Sequence, residues 1–276
     1  MTSTWFITGT SSGFGRLLTE KLLARGDRVA ATLRRMDALN DLKARYGDSL
    51  WMASLDLTDG DAIRQTVDRA FDELGRIDVV VNNAGYGLFG AAEELNDEQI
   101  RHQIDTNLLG SIQVIRAALP HLRAQGGGRV LQVSSEGGQV TYPNFSLYHA
   151  TKWGIEGFVE TVAKEVTNFG ITFTIFEPGP TGTNFGAGLV RAPELSVYDA
   201  TAVGDVRRAL ASGDFALTGD AAKMADAMLA CAYEEHPPLR LAMGSTAYSG
   251  IRSALEARLV ELEARKDLTL SMDVDG

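Results

Sequence analysis

Short apolar runs alternate with amphipathic stretches along most of the chain. The apolar runs lie at 4–8, 28–33, 50–55, 77–81, 129–133, 172–176 and 239–243. Apolar positions with helical spacing predict helices at 14–25, 36–46, 59–74, 97–123, 148–169, 221–234 and 245–265. Strands that alternate with helices are typical of a parallel sheet covered on both faces. We therefore predict an α/β fold with a doubly wound parallel sheet of about seven strands.

The same pattern bears on domain organisation. No internal repeat, low-complexity tract or proline-rich linker interrupts it, and 276 residues fit one α/β unit with a large core. We predict one domain at 1–276, with a C-terminal helical segment at 245–266 and a frayed tail at 267–276. Thr58 and Asp61 are the expected N-cap and reciprocal acid of the third helix.

A glycine-rich turn follows the first apolar run and reads Thr8-Gly-Thr-Ser-Ser-Gly-Phe-Gly15. Gly9 permits a tight turn, while Gly13 and Gly15 let the backbone and the helix N-terminus approach a pyrophosphate. A purely structural turn is the alternative. The order of strand, turn and helix favours a dinucleotide site.

A tyrosine and a lysine stand four residues apart in Tyr148-His-Ala-Thr-Lys152. On a helix these positions share one face, so both side chains can act on one substrate. A free tyrosine has a pKa of about 10, and a nearby cation favours its phenolate, which makes it a usable proton donor and acceptor. Alone, the spacing is common on ordinary helix surfaces, so its weight comes from the glycine turn in the same chain.

Composition narrows the class of protein. The formal net charge of −10 argues against general affinity for nucleic acid or anionic membranes. Cys231 is the single cysteine, which excludes an intramolecular disulfide, and its place on an apolar helix face predicts a buried structural thiol. We expect no cleavable signal, no membrane span, no metal site and a cytoplasmic location.

Taken together, the motifs resemble the short-chain dehydrogenase/reductase family, of the single-domain type with a TGxxxGxG turn. The resemblance covers about residues 3 to 245 and adds Asn82-Asn-Ala-Gly85, Asn107 and Ser135 to the two motifs above. Ser135 lies thirteen residues before the tyrosine, as in the family. The resemblance implies a Rossmann-type fold and an oxidoreductase that interconverts a ketone and a secondary alcohol.

The resemblance also implies catalytic roles for four residues. Tyr148 would be the general acid/base that protonates the carbonyl oxygen or deprotonates the alcohol. Lys152 would hold the nicotinamide ribose and lower the tyrosine pKa. Ser135 would donate a hydrogen bond to the same oxygen, and Asn107 would position the lysine through a water. A strand-end cap at Ser135 and a helix-bending residue at Asn107 are the structural alternatives.

The end of the second strand indicates which nicotinamide cofactor binds. NAD-preferring sites place an acid there, whereas an arginine accommodates a 2′-phosphate. Leu33 fills the acid position and Arg34 follows, aided by Arg35, so we predict NADP(H) rather than NAD(H). Solvated strand-end charges are the alternative, and Ser12 replaces a second basic residue of some NADP users. By position the family's other cofactor contacts fall on Gly9, Ser11, Ser12, Gly13, Phe14, Gly15, Asp56, Leu57, Asn83, Ala84, Gly85, Tyr148, Lys152, Pro178, Gly179, Thr181 and Thr183.

The substrate side is less well defined, because the family varies its pocket. Residues 181–219, which include Phe215, place glycines beside apolar side chains and predict a mobile lid over an apolar ligand. Predicted pocket residues are Gln139, Tyr142, Phe145, Phe185 and Leu189, although Phe185 and Leu189 could equally be packing residues. The segment at 237–245 is similar to the 17β-hydroxysteroid-dehydrogenase-like branch. We expect a bulky, mostly apolar carbonyl compound, of the steroid, retinoid or aryl ketone class.

Assembly is expected from the family's habit. We predict a homodimer or homotetramer built on the helices at 97–123 and 148–169. In the last helix Ile251, Leu255, Leu259 and Leu262 form an apolar stripe that packs on its own domain or joins a subunit interface.

Two other functions compete with the oxidoreductase. One is an NADP(H)-sensing regulatory protein on the same fold, which usually lacks the tyrosine or lysine that this chain retains. The other is an epimerase or dehydratase for nucleotide sugars, whose extended type has a GxxGxxG turn and a larger C-terminal domain that this chain does not display.

Overall fold

The computed structural model of the protein describes residues 2–213 and 216–274; Phe215 of the predicted lid lies outside them. The strands are β1 Thr4–Thr8, β2 Arg28–Leu33, β3 Leu50–Ser54, β4 Val79–Asn82, β5 Leu88–Phe89, β6 Gly128–Val133, β7 Ile171–Pro178, β8 Val190–Arg191 and β9 Arg240–Met243. Seven of them form a parallel sheet in the order β3-β2-β1-β4-β6-β7-β9. The predicted fold class is confirmed. The short β5 and β8 form a separate parallel pair that the sequence pattern did not reveal.

The central strand explains why the apolar runs are continuous. Trp5 and Ile7 of β1 point into one core layer, and Phe6 points into the other, because successive side chains alternate across the sheet. Both faces are covered by helices, so every position of β1 is buried. Asn82 at the end of β4 ties neighbouring elements together, since its Nδ2 donates to Gln132 Oε1 and to the Ser111 carbonyl, both at 2.9 Å.

The predicted helices are present, with changes at their ends, and the helix at 202–212 was not predicted. The helices are α1 Gly13–Ala24, α2 Asn40–Tyr46, α3 Gly60–Leu74, α4 Asp97–Ile104, α5 Gly110–Ala124, α6 Ser146–Glu165, α7 Ala202–Ser212, α8 Ala221–Cys231, α9 Ser245–Ala264 and α10 Lys266–Leu270. The predicted cap of α3 was wrong: Asp59 is the N-cap and accepts from the Asp61 and Ala62 amides, whereas the Thr58 hydroxyl donates to Asp56. The helix α10 lies at the start of the predicted tail, whose fraying remains a prediction.

The predicted long middle helix contains a π-helical turn at Asp105–Leu109, between α4 and α5. Such turns insert an extra residue and are often found at functional sites. Here the turn carries Asn107, and Gly110 directly after it packs so closely that an added Cβ would lie 2.6 Å from the Leu57 carbonyl oxygen. The interruption therefore places one polar side chain beside the carboxyl ends of the strands.

The segment predicted as a lid contains β8 and α7. Arg207 of α7 forms a buried ion pair with Glu94, whose other carboxylate oxygen accepts from the Leu195 amide at 2.7 Å. Burial disfavours the Glu94 carboxylate, but hydrogen bonds from Leu195 and Arg207 prevail and lower its pKa. This pair anchors the far part of the segment to the body of the domain.

The C-terminal helix leaves much of its apolar stripe uncovered. Leu255, Leu259 and Leu262 are 51%, 57% and 59% exposed, so this stripe does not pack on its own domain. Cys231 is buried, as expected, and its thiol lies 3.7 Å from the Thr174 hydroxyl. Within the described part of the chain, no helix has the length and apolar character needed to cross a membrane.

Candidate active site

The glycine turn forms a close-packed cradle where β1 meets α1. Gly9 has a φ of +72°, and a Cβ there would lie 2.7 Å from the Ala84 Cα. A Cβ on Gly15 would lie 2.4 Å from the Gly9 carbonyl oxygen. Side chains at either position would fill the space between the turn and the loop after β4. The backbone is thereby kept open and close to whatever binds above it.

Threonine and asparagine side chains fix the same two loops. The Thr8 hydroxyl accepts from the Asn83 and Ala84 amides at 3.0 Å each. Asn83 Nδ2 donates to the Thr8 and Gly9 carbonyl oxygens at 2.9 and 3.2 Å. These four bonds cross from β4 to β1, so the turn is held from its side and its upper surface is left free.

A cavity of about 350 Å³ lies above this cradle. Arg34 and Asp56 line its outer edge, and Thr183 lines it from the lid side. Asp56 accepts from the Thr58 amide and hydroxyl, and these bonds, with the charge of Arg34, lower its pKa. The other predicted cofactor residues that line it are Gly9, Ser11, Ser12, Gly13, Phe14, Leu57, Asn83, Ala84 and Gly85.

Two of the cofactor residues predicted in the glycine turn and after β2 lie outside this cavity. Gly15 is beneath the cradle, and Arg35 is not among the lining side chains but precedes the 3-10 turn at Met36–Leu39. In the sheet, β2 lies on one side of β1 and β4 on the other, so the direction in which the chain adds strands reverses at β1. The cavity lies at this topological switch point, where ligands bind in doubly wound sheets. The cradle's free space and its unobstructed amides fit a nucleotide pyrophosphate.

A second cavity, of about 560 Å³, adjoins the first and shares Phe14, Asn83, Gly85, Tyr86, Thr183 and Phe185 with it. Ser135, Tyr148 and Lys152 line its floor, and Pro178, Gly179 and Thr181 line the side next to β7. Predicted substrate residues Tyr142, Phe145, Phe185 and Leu189 also line it. The structure thus brings together most side chains that the sequence picked out for the two ligands.

Tyr148 is buried, and its environment makes the neutral phenol strongly preferred. Burial raises its pKa to about 12, a hydrogen bond with Ser135 lowers it, and the charges of Glu136 and Glu156 raise it. The sequence led us to expect a lowered tyrosine pKa, and that expectation is wrong for the protein alone. Loss of hydration outweighs the hydrogen bond with Ser135.

Lys152 lies beneath the tyrosine. Its Nζ is 5.6 Å from the Tyr148 ring centroid and donates to the Val133 carbonyl at 3.0 Å. Burial lowers the lysine pKa to about 8, while the charge of Glu156 raises it. At neutral pH the lysine therefore keeps its proton, but by a much smaller margin than an exposed lysine.

Asn107 holds a backbone segment of the cavity wall. Its Nδ2 donates to the Tyr86 carbonyl at 2.7 Å, and its Oδ1 accepts from the Tyr86 amide at 3.1 Å. The π turn supplies this inward position. Asn107 is buried and lines neither cavity, so the predicted approach to Lys152 is not by direct contact.

Gln139 is the predicted pocket residue that the structure places outside the cavity. Its Nε2 donates to Glu156 at 2.7 Å, on the far side of the active helix. Glu156 also accepts from the Ser134 hydroxyl and pairs with Arg240, which bonds Glu160 and Glu177 as well. Gln139 thus belongs to a buried polar network behind the site, because the loop turns its side chain away from the ligand.

Several lining residues escaped the sequence analysis. Glu136 is buried next to Ser135 and accepts from the Tyr142 hydroxyl at 2.8 Å, and burial raises its pKa. His149, directly after the tyrosine, is buried, which lowers its pKa to about 4. Arg191 lines the outer part of the cavity. Their proximity in sequence to Ser135 and Tyr148 was a signal for the first two, whereas nothing local marked Arg191.

A glycine cradle at the switch point, next to a buried tyrosine, lysine and serine, defines a Rossmann-type oxidoreductase that uses a nicotinamide cofactor. Residues 3–194 match the model of the short chain dehydrogenase family. The chain is 37% identical to oxidoreductase BOA17 of Botryotinia fuckeliana, over 98% of this chain and 99% of that protein. It belongs to the short-chain dehydrogenase/reductase family.

Two further similarities are relevant to the site. A solved short-chain dehydrogenase from Streptomyces avermitilis superposes with a TM-score of 0.91, at 38% identity over 98% of this chain and 100% of that one. Human 17-beta-hydroxysteroid dehydrogenase type 1 is 34% identical over 71% of this chain and 61% of its own length. The steroid enzyme is therefore a more distant homologue whose alignment leaves out a large part of it.

Proposed function

We propose that the protein is an NADP(H)-dependent carbonyl reductase and alcohol dehydrogenase that interconverts a bulky, mostly apolar ketone and the corresponding secondary alcohol. One observation carries the proposal. The Tyr148 phenol is hydrogen-bonded to Ser135 and lies above Lys152. It faces an apolar cavity that continues into the first cavity, which has room for a nucleotide. A carbonyl bound there would be within reach of both hydroxyls.

Tyr148 acts as the general acid in reduction. Its raised pKa keeps the phenol protonated at neutral pH, so a proton is available for the carbonyl oxygen as that oxygen gains negative charge. Ser135 donates a second hydrogen bond to the same oxygen and stabilises the developing charge. In the oxidising direction the phenolate takes the proton from the alcohol, which requires higher pH.

Lys152 stabilises the phenolate that forms when Tyr148 has given up its proton. The Val133 carbonyl fixes the ammonium below the ring, and Glu156 helps it keep its charge. Asn107 is a positioning residue in this scheme, because it holds the Tyr86 backbone at the junction of the two cavities.

The residues of the first cavity would hold NADP(H), and when bound it supplies or accepts the hydride and, in its oxidised form, carries a positive charge. The cradle amides at Ser11, Ser12 and Gly13 would bind the pyrophosphate. Arg34 favours NADP(H), since a guanidinium at this edge can pair with a 2′-phosphate and Leu33 offers no acid to a ribose hydroxyl. A solved serine dehydrogenase complexed with NADP+, 27% identical with a TM-score of 0.74, supports this choice.

The substrate class is inferred from the second cavity. Tyr142, Phe145, Phe185 and Leu189 give it an apolar wall, and the Phe185 ring lies 5.5 Å from that of Tyr148. A volume of about 560 Å³ suits a drug-sized ligand. The homologous steroid dehydrogenase and a 3-ketodihydrosphingosine reductase of Bacteroides thetaiotaomicron, 36% identical over 179 residues, both carry names of bulky apolar substrates. We favour a steroid, retinoid or aryl ketone.

Assembly and location are part of the proposal. We infer a homodimer or homotetramer built on the middle helices and α6. Leu109 and Trp153 on these elements, and Phe169 just after α6, are each more than 40% exposed. The single buried cysteine suits a reducing compartment such as the cytoplasm.

The test follows oxidation of NADPH and, separately, of NADH at the nicotinamide absorbance with aryl, steroid and aliphatic ketones. Wild type is compared with Tyr148→Phe. We expect turnover with NADPH that falls by at least about a hundredfold in the variant while NADPH binding persists. Retained turnover in Tyr148→Phe would contradict the role of the tyrosine. NADPH binding without oxidation by any ketone would favour the sensor instead.

A further inference from the structure

Few charged groups line the larger cavity, and most of them are already engaged. Among the described lining residues, Lys152 donates to the Val133 carbonyl, and Glu136 accepts from Tyr142. The third charged residue, Arg191, is different, because it lies on the outer wall and away from the catalytic floor.

Arg191 is held in place by an aromatic ring, and no acid among the described residues pairs with it. Its guanidinium lies over the Phe89 ring, 4.8 Å from the centroid, since β8 pairs with β5 and sets Arg191 beside Phe89. It forms no hydrogen bond or ion pair from its side chain to any residue that the structure describes. Ring stacking occupies one face of the guanidinium and leaves its N–H edge free, which is the edge that binds carboxylates.

The acids that closely follow β5 and β8 in the sequence have other partners. Glu94 pairs with Arg207, and Glu93 accepts from the Tyr198 hydroxyl at 2.6 Å. Glu194 lies 4.0 Å from Arg207 Nε. Among the described residues, these three acids thus contact other side chains and not Arg191.

A series of ring contacts connects the Arg191 guanidinium to the catalytic Tyr148. Phe89 lies 5.1 Å from Phe145, and Phe145 lies 6.1 Å from Tyr148, centroid to centroid. Together with the 4.8 Å of the cation–π contact, these distances set an upper limit of about 16 Å between Arg191 and the Tyr148 ring. One elongated molecule can span that interval.

We propose that Arg191 is a specificity-determining residue that binds a carboxylate on the ketone substrate, at the end remote from the carbonyl. The inference rests on the proposed function and narrows its substrate class to an amphiphilic keto acid with an apolar middle. The chain's net charge of −10 repels anions in general, so a local cation is needed to select one.

The experiment compares 4-benzoylbutyrate with its methyl ester, and then longer ω-benzoyl acids with their esters. Binding to the protein in the presence of NADP+ is measured by calorimetry, and NADPH oxidation is followed in parallel. The variants are Arg191→Gln, Arg191→Lys, and Arg208→Gln as the matched control. Arg208 is an exposed lid arginine that lines neither cavity and pairs with Asp205.

In wild type, the best-fitting acid should bind about tenfold more tightly than its ester, and the preference should shrink as salt is added. Arg191→Gln should abolish the preference without changing the affinity for the ester, Arg191→Lys should keep part of it, and Arg208→Gln should keep all of it. Equal binding of acids and esters at every length in wild type, or an unchanged preference in Arg191→Gln, would overturn the proposal. Turnover of esters without acid preference would remove only this inference, whereas acid-selective binding without any turnover would remove the proposed reaction and leave the arginine site.

Discussion

Gly15→Ala is the most informative change in the nucleotide cradle. The new Cβ would lie 2.4 Å from the Gly9 carbonyl oxygen and 2.7 Å from Asn83 Nδ2, whereas ordinary contacts begin near 3.4 Å. The turn must therefore open by about 1 Å. Overpacking of this kind costs about 1–3 kcal/mol, and strain on the two Asn83 hydrogen bonds adds about 1 kcal/mol more. Alanine's better helix propensity returns at most about 1 kcal/mol.

We expect Gly15→Ala to unfold several degrees below wild type and to bind NADPH at least about tenfold more weakly, because the cradle amides move. Thermal unfolding and a fluorescence titration with NADPH measure the two effects. Gly157→Ala is the matched control, since Gly157 lies in α6 with nothing within 4 Å of an added Cβ. It should gain about 0.5–1 kcal/mol and bind NADPH normally. Wild-type stability and affinity in Gly15→Ala would refute the argument from packing.

Two further substitutions test the ligand edge and the catalytic charge. Arg34→Gln should raise the KM for NADPH about 10- to 100-fold and leave the KM for NADH unchanged. Arg35→Gln is the control and should have a smaller effect, because Arg35 lies outside the cavity. An equal rise in KM for both cofactors in Arg34→Gln would contradict a 2′-phosphate contact. Glu156→Gln removes a charge that raises the Lys152 pKa, so that pKa should fall below about 8 and the alkaline loss of reductase activity should move to lower pH. Glu160 is half-buried and pairs with Arg240, as Glu156 does, so Glu160→Gln is the matched control and should leave the pH profile in place.

The sheet and the cradle could be predicted because their signals are local. The central strands, such as β1 and β4, are buried on both faces and therefore read as apolar runs. The glycines at 9, 13 and 15 follow one strand and open one helix. The parallel topology then brings Ser135, after β6, and Thr181, after β7, to the same edge as the turn. Residues that lie at strand ends or on one helix face are within reach of such reasoning.

What the sequence concealed depends on contacts between distant segments. Arg207 meets Glu94 across 113 positions, and Arg240 meets Glu156 across 84, so no short window records either pairing. Gln139 was assigned to the pocket because its loop lines it, but a side chain's direction follows from its partner, Glu156. The position of Arg191 beside Phe89 depends on the pairing of two strands of two residues each, which are too short to leave a periodic signal in the sequence.

The pKa values of the catalytic residues were the other property that the sequence did not predict. A tyrosine four residues from a lysine suggested a lowered tyrosine pKa, yet the magnitude of desolvation is set by the whole fold around the pair. Burial raises the Tyr148 pKa to about 12 and lowers that of Lys152 to about 8. For reduction this arrangement is suitable, since the acid must hold its proton until the carbonyl oxygen becomes basic.

The central claim is hydride transfer to a carbonyl carbon with Tyr148 as the proton donor. The most direct test incubates the protein with NADPH that carries deuterium at both C4 positions of the nicotinamide, together with the best ketone, and analyses the alcohol by mass spectrometry. Our account predicts an alcohol with one deuterium, bound to the former carbonyl carbon, formed by wild type and not by Tyr148→Phe. An alcohol without deuterium, or its formation at an equal rate by the variant, would contradict it.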